Sequence, residues 1–169
     1  NIDKRLIPKF AKDITLRVVI GMCSHRITEN SLQEFLRASW EVTPEADRIG
    51  YRLKGPTLQF VEGEQPFGAG ADPSNVVDLG YPVGSVQVPG GLEAIVLLND
   101  AVTGGGYTTI GTVIRADLDL IAQASPGNIV RFAETNIENA LRARKEREDA
   151  LQQIRLELRM ADQVGLLGQ

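Results

Sequence analysis

Gly84-Ser85-Val86-Gln87-Val88-Pro89-Gly90-Gly91-Leu92-Glu93-Ala94-Ile95-Val96-Leu97-Leu98 sets two short aliphatic runs on either side of a Pro-Gly-Gly break. Proline and glycine weaken a hydrogen-bonded ladder, so the break reads as a turn and the flanking runs, Ser85 to Val88 and Ala94 to Leu98, as strands. Ala94 to Leu98 does not alternate, which predicts a strand covered on both faces. The same punctuation continues outward. Ile14 to Ile20, Ile49 to Leu53, Leu58 to Val61, Thr108 to Ile114 and Ile129 to Phe132 are further strand windows between breakers. Between Arg48 and Lys54, alternation puts Ile49, Tyr51 and Leu53 on one face and Arg48, Arg52 and Lys54 on the other.

Two short helices are expected. Asn30 or Ser31 caps the first, with Leu32, Phe35 and Leu36 on one face and an end before Trp40. Asp117 begins the second, with Leu118, Ile121 and Ala122 inward and Ser125-Pro126-Gly127 as its stop. After Phe132 the chain runs without Gly or Pro through Val164, which predicts one long helix. Ile137, Leu141, Leu151, Ile154 and Leu158 lie at helical spacing, while Arg144, Arg147 and Glu148 interrupt the stripe. That pattern predicts packing at both ends and a solvated middle. Many strands, few helices and no regular βα alternation give a mainly β barrel with two short helices and a long C-terminal α-helix.

The 169 residues are 43% hydrophobic, within the range of one compact unit. With 18 basic and 22 acidic residues the net charge is −4, the wrong sign for a protein that binds by neutralising phosphates, so nucleic acid is excluded as a partner. One Cys and one His cannot build a structural zinc site or an intrachain disulfide, so no metal is expected and a cytoplasmic location is. No apolar run reaches the roughly 20 residues that span a bilayer, so no membrane partner is expected.

Three groups could carry chemistry. Cys23-Ser24-His25 offers a nucleophile beside a base, but adjacent side chains on an extended backbone point to opposite faces, and a loop after a strand accounts for them. Gly104-Gly105-Gly106 could wrap an anion with backbone N–H groups or make a tight connection between strands. No Lys follows it, and no phosphate-loop pattern is present. Asp47, Arg48, Tyr51 and Arg52 form a compact polar group beside a stretch, Gly55 to Ile114, that holds six acids and no Lys or Arg. A solvated strand edge is one reading of that group, and an arginine fork holding a carboxylate is the other.

Asp47 to Pro56, Gly84 to Pro89, Ile95 to Asp100 with Thr103 and Gly105-Gly106-Tyr107, and Ile110 to Phe132 with Ala116-Asp117-Leu118 occur in one order. Together these blocks resemble the biotin-dependent carboxyltransferase or allophanate hydrolase subunit 2 family. That group includes KipA proteins, the C component of 5-oxoprolinase and the carboxyltransferase part of urea carboxylase. The likeness is to the C-terminal half of the family polypeptide, one of two cyclophilin-like β-barrel halves. It implies an N-terminal linker or extension at 1–13, a half-domain at 14–133, and a C-terminal helix and tail at 134–169. Where the family often reads Asp-Arg-Gln-Thr-Thr-Gly-Gly-Tyr-Pro, this chain has Asp100-Ala101-Val102-Thr103-Gly104-Gly105-Gly106-Tyr107-Thr108.

The resemblance implies transfer of carboxyl from carboxybiotin to an amide or urea nitrogen. Asp100, Tyr107 and Arg48 are the implied catalytic residues. Tyr51, Arg52, Gln87, Thr103, Gly105 and Gly106 are the implied substrate- or biotin-binding ones. They would line a glycine-rich pocket free of cations and flanked by an arginine pair. Biotin would sit on a separate carrier domain, since no Met-Lys pair marks this chain for attachment, and ATP would be used by partner components only. Implied partners are the companion N-terminal half-domain, an allophanate hydrolase subunit 1 or KipI-like protein, a biotin carboxylase and a biotin carrier. An alternative is a non-catalytic binding and assembly module that pairs with the KipI-like protein.

Overall fold

The computed structural model describes residues 11–21 and 23–167, with the side chains of 161–167 excepted. Most of the expected N-terminal extension, 1–10, lies outside the described residues. Seven strands close a barrel in the order β1 (Asp13–Ile20), β8 (Thr109–Val113), β5 (Ser85–Gln87), β6 (Glu93–Leu97), β3 (Gly50–Lys54), β2 (Trp40–Val42) and β9 (Ile129–Glu134). A ring with an odd number of strands cannot be antiparallel throughout. The parallel pair is β1 with β9, in register from Asp13 opposite Ile129 to Val18 opposite Glu134. Two further strands, β4 (Asn75–Gly80) and β7 (Gly104–Tyr107), form a separate antiparallel ribbon.

Alternation places Ile14, Leu16 and Val18 of β1 inside the barrel with Val86, Val96, Leu53 and Val130. Helix α1 (Glu29–Arg37) closes one side, with Phe35 stacked on Phe132 at 4.3 Å between ring centroids. The Trp40 indole N–H donates to the Phe35 carbonyl at 3.1 Å, so the largest buried side chain keeps its polar atom satisfied. Helix α2 (Leu118–Ile121) follows a 3-10 turn at Arg115–Asp117, and α3 (Ile137–Leu167) is the long C-terminal helix.

Several local expectations change. Thr28, two or three residues earlier than the expected Asn30 or Ser31, caps α1 by accepting from Ser31 N. Ser31 is buried instead, and its hydroxyl accepts from Gln59 N. Leu58 to Val61 is no strand. Leu58 N donates to Gly91 O, and only an isolated bridge joins Phe60 to Ile27. Ile49 precedes β3 and is 55% exposed, so it does not share the buried face of Tyr51 and Leu53. Ala122 is exposed, not inward, because α2 ends before it. Strands β2, β4 and β7 carry no alternation long enough to be read.

The long helix also differs. Ala143 is 5% exposed and α3 packs on the 3-10 turn, whereas Ile137, Leu141 and Leu158 are exposed. The helix is therefore held by a small residue and by Arg147 at its charged middle, not by apolar ends.

Candidate active-site cleft

Asp47 organises the start of β3. Its Oδ1 accepts from Ile49 N at 2.8 Å and Gly50 N at 3.1 Å, an aspartate-centred turn that leaves Arg48 facing outward. Arg48 then meets Asp100 in a two-point pair: Nε to Oδ2 is 2.7 Å and Nη2 to Oδ1 is 3.0 Å. The main chains reinforce it, with Asp100 N donating to Arg48 O and Leu98 N to Ile49 O. The hydrogen bonds from Arg48 hold the Asp100 carboxyl below the usual aspartate range. Asp100 is thus a stable acceptor for an N–H and a weak proton acceptor.

Beside this pair lies an open cleft of about 420 Å³. Val83, Leu98, Leu118 and Ala122 supply its apolar surface, and Tyr51 its inner wall. The Tyr51 hydroxyl donates to the Ala122 carbonyl at 3.0 Å, tying β3 to the end of α2, and burial pushes the phenol above its ordinary pKa. Arg147 reaches in from α3 and pairs with Asp119, donating from Nε at 3.0 Å and again from Nη2. Arg115, at the head of the 3-10 turn, has no side-chain partner among the described residues.

Of the residues expected in one site, the cleft unites Arg48 and Tyr51, with Asp100 on the outer side of Arg48. Arg52 instead pairs with Glu93 on the neighbouring strand. Gln87 is buried in β5 opposite Thr109. Gly105 and Gly106 are part of strand β7 rather than of an anion-wrapping loop. An added Cβ would lie 3.1 Å from Tyr81 Cε2 at Gly105 and 3.1 Å from Val76 O at Gly106, so glycine serves close packing there. Thr103 O accepts from Tyr81 N where the ribbon starts, and the Tyr81 hydroxyl holds both N and O of Tyr107 where it ends.

The two groups sit apart along the barrel. Gly84 N donates to Leu97 O, and Val113 N to Gly84 O, at the end of β5 that faces the cleft. Tyr107 precedes Thr109, at the other end of the β5–β8 ladder. Nor is the cleft free of cations, since Arg48, Arg115 and Arg147 all line it. The cation-free segment forms the ribbon and β5, β6 and β8 instead. Sequence reasoning missed Arg115, Asp119 and Arg147. The signal for Arg147 was its place in the interrupted stripe of α3, and Arg115 stands directly before Ala116-Asp117-Leu118.

Cys23 is buried while His25 is exposed, so the pair does not form a nucleophile and base. No group of three or more His, Cys, Asp or Glu suited to a metal occurs among the described residues, and no helix among them is long and apolar enough to cross a membrane.

A closed barrel whose rim carries an arginine-lined cleft defines this chain as a β-barrel domain with a cleft of small-molecule size. The Kluyveromyces lactis urea amidolyase structure matches 88% of the chain with a TM-score of 0.81 at 25% identity, over 9% of its own length. The family profile described as carboxyltransferase domain, subdomain A and B, matches residues 1–134, and the chain belongs to that family. It is 32% identical over 139 residues to the C component of the 5-oxoprolinase of Escherichia coli, covering 82% of this chain. It is 29% identical over 149 residues to a putative urea carboxylase of Emericella nidulans, covering 88%. The chain spans 42% of the first relative and 12% of the second.

Proposed function

We propose that this chain is part of a biotin-dependent carboxyltransferase-type or amide-processing enzyme that moves a carboxyl group from carboxybiotin to an amide or urea nitrogen. Membership of the carboxyltransferase family supports the class, and the 5-oxoprolinase and urea carboxylase relatives support an amide or urea acceptor. The observation that carries the reading is the two-point Arg48–Asp100 pair beside a cleft with an apolar wall. Asp100, kept ionised by Arg48, accepts an N–H of the acceptor and orients its nitrogen. Val83, Leu98, Leu118 and Ala122 exclude water from a flat ring, and Tyr51 fixes the wall.

Biotin, on a separate carrier domain, supplies the activated carboxyl group when bound, and ATP is consumed by partner components. A companion N-terminal half-domain, a KipI-like protein, a biotin carboxylase and a biotin carrier complete the assembly, in the cytoplasm. In this reading Gln87, Thr103, Gly105, Gly106 and Tyr107 serve the ribbon and its end of the barrel, and Arg52 its pair with Glu93.

The test is turnover by the complete assembly with carboxybiotin and urea or 5-oxoproline. Asp100→Ala should lower turnover on the order of 100-fold, the scale of removing one orienting group from the reacting centre, while Tyr107→Phe should stay near wild type. Equal turnover by wild type and Asp100→Ala would refute the assignment. A second reading, a non-catalytic module pairing with a KipI-like protein, is favoured by the exposed Ile137, Leu141 and Leu158 on α3. It requires assembly to survive Asp100→Ala with no activity to lose.

A further inference from the structure

We infer that Arg115 is a carboxylate-binding residue and that the cleft takes a small organic monocarboxylate with an apolar body. Three guanidinium groups line the cleft, and two are already committed: Arg48 to Asp100 and Arg147 to Asp119. Arg115 has neither a hydrogen bond nor an ion pair among the described residues, so no structural duty accounts for it. A guanidinium fork matches the planar geometry of a carboxylate.

The backbone beneath Arg115 is fixed before any ligand arrives. Ile114 N donates to Arg17 O at 3.0 Å, and Asp117 N to Ile114 O at 3.0 Å. The Asp117 carboxylate accepts from Arg17 N, Nε and Nη2 at 2.8, 2.9 and 2.6 Å.

The rest of the cleft sets the ligand class. Val83, Leu98, Leu118 and Ala122 offer an apolar surface next to the fork, and about 420 Å³ is the size of a small-molecule site. Asp47 and Asp119 also line it, and they disfavour an anion of more than one charge, such as phosphate. One guanidinium unpaired among the described residues, in a cleft that also holds two carboxylates, suits a single negative charge. This inference needs no turnover, so it stands or falls apart from the carboxyl-transfer reading.

The test is an amide-resolved NMR titration of the full chain with benzoate and with its neutral isostere benzamide. Benzoate should shift cleft signals saturably and bind at least about tenfold tighter than benzamide, the scale of a charge-assisted hydrogen bond. Arg115→Gln should reduce benzoate to the level of benzamide with an unchanged thermal midpoint, because the side chain has no partner to lose. Arg115→Lys should keep part of the preference. Equal affinity for the two probes, a preference that survives Arg115→Gln, or inorganic phosphate competing as well as benzoate would each overturn the assignment.

Discussion

Replacing Asp117 with alanine tests whether one buried carboxylate organises the whole cleft wall. Asp117 is 3% exposed and accepts three hydrogen bonds from Arg17, one from the backbone and two from the guanidinium. The Arg17 side chain is 43% exposed, so its charge regains water when the partner disappears. The Arg17 backbone N–H has no such recourse inside β1. A hydrogen bond to a charged group contributes about 1.5–3 kcal/mol, and breaking a fully buried ion pair costs about 3–5 kcal/mol. With one partner half in solvent, Asp117→Ala should cost about 2–4 kcal/mol. At this chain length each kcal/mol lowers the thermal midpoint by about 2–4 °C, so a fall of roughly 5–15 °C is expected.

Urea unfolding followed by circular dichroism should show a lower midpoint at unchanged slope. Asp117→Asn, which keeps one acceptor oxygen, should fall between. Because α3 packs on the 3-10 turn, amide exchange in α3 should quicken in the alanine variant. A loss below about 0.5 kcal/mol, the scale of an ordinary surface substitution, would refute the claim that Asp117 holds the turn.

Two further outcomes follow from single contacts. Gly91 has a φ of +67°, and an added Cβ would lie 2.0 Å from the Leu58 carbonyl, so Gly91→Ala should cost more than about 2 kcal/mol, read as a lowered urea midpoint. Carboxyl-detected NMR should show Asp100 titrating below the usual aspartate range, returning to it in Arg48→Ala. The folded value is the depressed one, so the pair stabilises the fold above the unfolded aspartate pKa. That contribution is lost as pH falls through the folded value, and wild type and Arg48→Ala should converge in acid.

The barrel was largely legible because its signals are local. The Pro-Gly-Gly break between β5 and β6, the alternation of Ile14, Leu16 and Val18, and the run of α3 without glycine as far as Val164 are each short-range signals, where period and breakers decide the outcome. The β4–β7 ribbon was not legible, because three consecutive glycines form a strand only where Tyr81 and Val76 press against them. The ends of α3 misled for a related reason: helical spacing shows which residues share a face, not whether a neighbour covers it.

The sequence alone determined a mainly β barrel, its long charged helix and the candidacy of Arg48 and Tyr51. Only the tertiary structure decided which groups meet. The pairs that build the cleft, Arg48 with Asp100, Arg17 with Asp117 and Arg147 with Asp119, join residues 52, 100 and 28 positions apart. No local period records such distances. Barrel closure brings those loops to one rim, leaving Arg115 without a partner among the described residues and carrying Tyr107 to the other end.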